Sequence, residues 1–229
     1  MNMNYLKQLI LHNNAILSIF NKYLGKNKFR IGKNTFICTG NSLFKHTMIN
    51  LYGVNNLIEI VGCDLNRFVN CRIDIFGNNN RIKIGGGNLL TDLNIWVEDE
   101  GGLISIGNNN KICGSTKISS IEGVKVEVGD NCLFSTNVDF KVGDSHSILS
   151  LDTNKRINPS QSIKIKDHVW FGHNTTILKG VTIENDTIIG TGSIVTKSPQ
   201  KSNVILAGNP AKIIKENVTW ENDRINDFE

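Results

Sequence analysis

The sequence predicts an all-β chain, a parallel solenoid of short strands preceded by a brief N-terminal α-helix. Three observations predict it. From residue 165 the chain runs in sixes: Ile165, Phe171, Ile177, Ile183, Ile189 and Val195 share one position. Four places after the first five of these stand Val169, Thr175, Val181, Thr187 and Ser193, all small or β-branched. Farther up the chain, Ile84-Gly85, Ile106-Gly107 and Val128-Gly129 recur at 22-residue intervals, with Val61-Gly62 lying 23 before the first. Finally, the run GNNN occurs at 77 and again at 107, and Asn and Gly tolerate the left-handed backbone that tight corners need. A period of six fits neither a helix nor a plain alternating strand, but it fits a short strand plus a corner. Three sixes close one triangular coil, and coils stack at the ordinary strand spacing of about 4.8 Å. Roughly nine coils are expected. An antiparallel sandwich would instead require hairpin turns and no fixed period.

The elements follow in chain order. Residues 1–28 form a helix and linker: apolar residues from Leu6 to Leu24 keep helical spacing over residues 4 to 24, and Gly25 stops the run. His12, Asn13 and Asn14 interrupt this stretch, so it reads as neither a signal peptide nor a bilayer span. Residues 29–215 form the solenoid. A polar excursion, the extruded loop 141–163, interrupts it around a single histidine, His146. Residues 216–229 form a short acidic tail. The net charge of +4 is too small to argue for nucleic acid without a recognised basic motif. Its distribution is uneven: no Asp or Glu precedes Glu59, while Lys7, Lys22, Lys26, Lys28, Arg30, Lys33 and Lys45 do. That asymmetry suggests an anionic neighbour, either a polyanionic substrate or a membrane surface. A solvated face balanced by Glu216, Glu221, Asp223, Asp227 and Glu229 explains it equally well. The five cysteines form no CxxC pair and are expected to be buried and reduced in a cytoplasmic protein.

Residues 168–198, HVWFGHNTTILKGVTIENDTIIGTGSIVTKS, followed by AGNPAKIIKE, resemble the hexapeptide-repeat acyltransferases. DSHSI and then RINPSQSIKIKDHVWFG are similar to the branch that O-acetylates sugars, notably capsular and other cell-surface polysaccharides. The resemblance implies a left-handed parallel β-helix, acetyl-CoA as co-substrate, no metal, and a homotrimer with active sites between subunits. It also implies a polysaccharide or glycan acceptor, with peripheral membrane or capsule-complex association as a further expectation. A sugar hydroxyl is too weakly acidic to attack a thioester unassisted, and a histidine has the pKa to take its proton. His146, on a loop beside a rigid scaffold, is the expected catalytic base. Asp144, Asp139 or a backbone carbonyl could orient its ring.

The resemblance assigns the remaining site residues. Trp170 lines the substrate or acetyl site. Gly172, His173, Gly190, Thr191, Thr196, Lys197, Lys212 and Lys215 lie along acetyl-CoA, where relatives often carry a small residue at the place of His173 and Ala at that of Thr191. Lys197, Lys201, Lys212 and Lys215 form a cluster suited to the phosphates. Two other readings stay open. In a γ-class carbonic-anhydrase-like zinc protein, His168 and His173, with Cys132, would hold the metal. In a non-catalytic glycan-binding solenoid, His146 would have no part in turnover.

Overall fold

The computed structural model describes residues 14–226. The first coil lays one strand on each of three faces: Lys28–Arg30 on the first, Lys33–Cys38 on the second and Ser42–Lys45 on the third. Up to the last coil, each adds a parallel strand to the faces in the same order, so neighbours in a sheet are three strands apart in the chain. The first face ends with Ile194–Val195, the second with Thr182–Ile183 and the third with Val204–Gly208. About eight turns result, one fewer than the expected nine. The last coil has strands on its first and third faces but none on its second, and the chain ends its sheet pairing where Ala211–Glu216 turns back antiparallel to Val204–Gly208.

The sixes fall as anticipated. Ile165, Phe171, Ile177, Ile183, Ile189 and Val195 point inward and are buried, as are the corner residues Val169, Thr175, Val181, Thr187 and Ser193. Stacking in register puts like on like: Ile60, Ile84, Ile106, Val128 and Ile165 form one continuous interior row. The residue under Ile84 is therefore Ile60, not Val61, whose side chain faces out at the end of the strand. Phe44 stacks on Phe68 and Phe134 on Phe171, with ring centroids 4.7 and 4.5 Å apart. Burial of such rows from water is the main force holding one coil on the next.

The corners of the N-terminal coils are built differently. At the edge between the second and third faces, Asn66 accepts the Asn88 N–H (2.9 Å), Asn88 that of Asn110 (2.8 Å) and Asn110 that of Cys132 (2.7 Å). Asn34, Asn56 and Asn80 form a second such ladder at the edge between the first and second faces, ending on the Gly102 N–H. Each GNNN run supplies the last Asn of one ladder, Asn80 or Asn110. Asn79 and Asn109 take positive φ, and Asn80 and Asn110, one residue on, are buried.

The helix Asn14–Ile19 continues as a π turn, Phe20–Leu24, and ends at Gly25, whose N–H bonds the Phe20 carbonyl. The expected start of the helix, residue 4, lies outside the described residues. Asn21 accepts the Phe44 N–H (2.8 Å) and donates to the Ser42 carbonyl (2.7 Å), satisfying the open edge of the first coil. The cysteines are all free, but only Cys71 and Cys132 are buried. Cys38, Cys63 and Cys113 are exposed, correcting the expectation of burial; Cys113, for example, occupies an outward position of its alternating strand.

Candidate active site

The chain leaves the first face at Lys141 and rejoins the second at Ile163. His146 thus projects from the edge between those faces, exposed. Its backbone is held at both ends: its N–H bonds the Asp144 carbonyl (2.7 Å), and its carbonyl accepts from Asn158 Nδ2 (2.8 Å). Asn158 is buried at the base of the loop and also donates to Asp144 Oδ2 (2.8 Å), which accepts a second bond from Lys179 Nζ. Lys179 belongs to the following coil, so the clamp ties the loop to the scaffold. Lys179, then Asn158, hold the Asp144 carboxyl below the usual carboxylate range. A second tie joins Arg156 to Glu122 at 2.6 Å. The Ser160 N–H, then Arg156, pull the Glu122 pKa down.

Among the described residues neither Asp144 nor Asp139 bonds the His146 ring: Asp144 serves the clamp and Asp139 pairs with Lys141 at 2.9 Å. The loop departs from its expected polarity. Leu149 and Arg156 bridge antiparallel across its neck, and Ile148, Leu149, Leu151 and Ile157 all stand exposed.

Trp170 lies on the third face, 37% exposed. Its neighbour is Trp220 from the tail, 6.0 Å between ring centroids. Trp220 is buried, stacks on the His168 ring at 4.2 Å and donates from Nε1 to the His168 carbonyl (2.9 Å). The tail is therefore docked over residues 218–222, with Asn222 accepting from Lys111 Nζ (2.9 Å).

His173 and Thr191 share the edge between the third and first faces, one above the other, with the Gly192 N–H bonded to the His173 carbonyl (2.9 Å). Both are exposed, and His173 Nδ1 bonds Thr136 Oγ1. Stacking excludes a side chain at Gly172 and crowds one at Gly190. A Cβ at Gly172 would stand 2.7 Å from the Thr191 nitrogen, and one at Gly190 would stand 3.1 Å from the Ala207 Cβ. Thr196 and Lys197 lie at the edge that carries His146, while Lys212 and Lys215 are exposed on the returning strand. Lys201 pairs with Glu216 at 2.5 Å, leaving Lys197, Lys212 and Lys215 as the free members of the cluster among the described residues.

One chain therefore places His146 on one edge and His173 with Thr191 on another. The third member of the zinc alternative, Cys132, is buried in the corner ladder, and burial pushes its thiol up to about 12. Among the described residues no group of three His, Cys, Asp or Glu side chains is placed to hold a metal. Sequence reasoning missed Asn158, Lys179 and Trp220. Asn158 directly before Pro159 and a lone Trp in a polar tail were the available signals.

The family profile "Bacterial transferase hexapeptide (six repeats)" matches residues 162–197. The polysialic acid O-acetyltransferase of Neisseria meningitidis is 31% identical over 194 residues, spanning 82% of this chain and 85% of that protein. The polysialic acid O-acetyltransferase of Escherichia coli O1:K1 / APEC is 33% identical over 124 residues, 54% of this chain and 40% of its own length. The crystal structure of the polySia-specific acetyltransferase NeuO superposes with a TM-score of 0.75 at 30% identity, over 89% of this chain and 90% of that one. With the triangular solenoid, the hexapeptide rows and a relative matched along most of both chains, this protein belongs to the hexapeptide-repeat O-acetyltransferases, left-handed β-helix enzymes that pass an acetyl group from acetyl-CoA to a sugar hydroxyl.

Proposed function

We propose that the protein O-acetylates an anionic capsular or other cell-surface polysaccharide of the polysialic acid kind in the cytoplasm, before export. The observation that carries this reading is the His146 loop, clamped to the scaffold by Asp144, Asn158 and Lys179, in a chain similar along most of its length to a polysialic acid O-acetyltransferase. The His146 imidazole takes the proton of the sugar hydroxyl as its oxygen bonds the acetyl carbonyl carbon. The carbon–sulfur bond of acetyl-CoA then breaks, and the departing thiolate takes the proton back from the imidazolium. No side chain is acylated.

The acetyl site is shared between subunits of a homotrimer. Two features support this: the separation of His146 from His173 and Thr191 within one chain, and the aliphatic surface of Ile148, Leu149, Leu151 and Ile157 beside the histidine, which a neighbouring subunit would cover. Trp170 lines the acetyl or acceptor side. His173 and Thr191 border the pantetheine, Gly172 and Gly190 letting the backbone approach it, and Thr196, Lys197, Lys212 and Lys215 meet the nucleotide and phosphates.

The test is acetyl transfer from acetyl-CoA to polysialic acid against a panel of neutral and other acidic capsule polymers, with His146→Ala as control. Turnover on an acidic polymer that disappears in His146→Ala supports the reading. Turnover that survives the substitution, or that occurs only on neutral polymers, overturns it.

A further inference from the structure

The first coil ends the prism in a ring of cations. Lys28 and Arg30 stand on its first-face strand, Lys33 opens the second-face strand, Lys45 closes the third, Lys22 lies in the last turn of the capping helix and Lys26 follows it. All six are exposed, and none forms an ion pair among the described residues. The first 58 residues contain no carboxylate side chain, so residues 1–13 bring no Asp or Glu to neutralise them. Nor does the acidic tail: its described part is fastened to Asn203, His168 and Lys111, on coils beyond the first.

Apolar side chains stand among these cations. Ile19, Tyr23 and Leu24 are 57, 68 and 65% exposed on the capping helix. The Lys22 ammonium sits 5.1 Å from the centre of the Tyr23 ring. Cations alone would suit any polyanion. Exposed aliphatic and aromatic groups interleaved with them suit a surface that is anionic outside and apolar just beneath, where lysines meet headgroups and Leu, Ile and Tyr enter the headgroup–acyl boundary. A soluble anionic polysaccharide offers nothing to Ile19 or Leu24.

We infer that the N-terminal end of the solenoid, Ile19 to Lys33 with Lys45, docks on an anionic phospholipid surface. The experiment is co-sedimentation of the full chain with vesicles of phosphatidylglycerol plus phosphatidylcholine, compared with phosphatidylcholine alone. Binding is expected only to the anionic vesicles and should weaken as salt is added. The triple variant Lys22→Gln, Lys26→Gln, Lys28→Gln should bind them about a hundredfold more weakly, from about 1 kcal/mol per basic residue near the surface. Tyr23→Ser with Leu24→Ser should weaken binding about tenfold or more. Both variants should retain full acetyl transfer to a soluble acceptor, which shows that they fold. Equal binding to both vesicle types, no binding, or insensitivity to the Tyr23 and Leu24 changes overturns the inference. So does capture on an anionic polysaccharide resin that the lysine changes abolish while vesicles are ignored. The assay needs no turnover, so its failure is separate from failure of the catalytic reading.

Discussion

The coils before the loop and those after it build one prism with different corners. Before the loop the corner position is held by Asn56 and Asn80 at one edge and by Asn66, Asn88 and Asn110 at another, each bonded to the next coil through its side chain. After the loop the same position is Val169, Val181 or Thr187, and the coil shortens from 22 or 24 residues to 18. A buried Asn needs partners for its polar atoms, which these corners supply except at Asn66 Nδ2, and such a corner can carry a longer excursion around it. A small apolar or hydroxyl residue asks for little and permits the tightest coil. The tight half therefore offers short, rigid edges close together, and it is where His146, Trp170, His173 and Thr191 stand.

The largest expected effect lies in that half. His146→Ala should cut kcat by about 10³-fold or more while leaving the melting temperature unchanged, since the ring is exposed; a few-fold loss would sink its role as base. Next is a cut in the ladder. Asn88→Val strips the Asn110 N–H of its acceptor and leaves the Gly85 and Gly107 carbonyls without their donor. Urea unfolding should register about 3 kcal/mol of lost stability, with catalysis preserved at low temperature.

A smaller effect is expected at the loop clamp. Asp144→Asn breaks the tie to Lys179 and should lower kcat/KM about tenfold by loosening the His146 backbone. Because the Asp144 pKa is lowered in the folded state, the clamp is complete above the ordinary carboxylate range. It fails only as pH falls through the lowered value. Amide exchange in residues 144–158 should accordingly be as protected at pH 5 as at pH 7, once corrected for intrinsic rates. The smallest change sharpens the contrast: Thr187→Val, at the same edge as Asn88, should cost under about 0.5 kcal/mol, because its hydroxyl has only a 3.4 Å contact to the Asn185 carbonyl. A cost like that of Asn88→Val would erase the distinction between the two kinds of corner.

The solenoid was legible because a period of six repeats its evidence, and Ile165 to Val195 announce an inward row without any long-range information. The GNNN runs announced corners, yet not that their last Asn turns inward, since that depends on a partner 22 residues away. Val61 was read for Ile60 because the 24-residue coil shifts the count by one. The His146 loop stood out as a break in the pattern. Its clamp did not, because Lys179 meets Asp144 only once the next coil has stacked. Trp220 was hidden for a similar reason: a tail rich in Glu and Asn reads as solvated until His168 is seen beneath its ring.

The row of parallel strands on the first face runs from Lys28–Arg30 through four intervening strands to Val138–Lys141, where the His146 loop leaves. At about 4.8 Å per step, the strand from which the His146 loop leaves stands roughly 24 Å above the basic end. The N-terminal coils thus act as a ruler. With that end resting on a bilayer, their number sets the height at which a growing glycan chain meets the acetyl group, and each coil gained or lost would move that height by one strand spacing while leaving the chemistry alone.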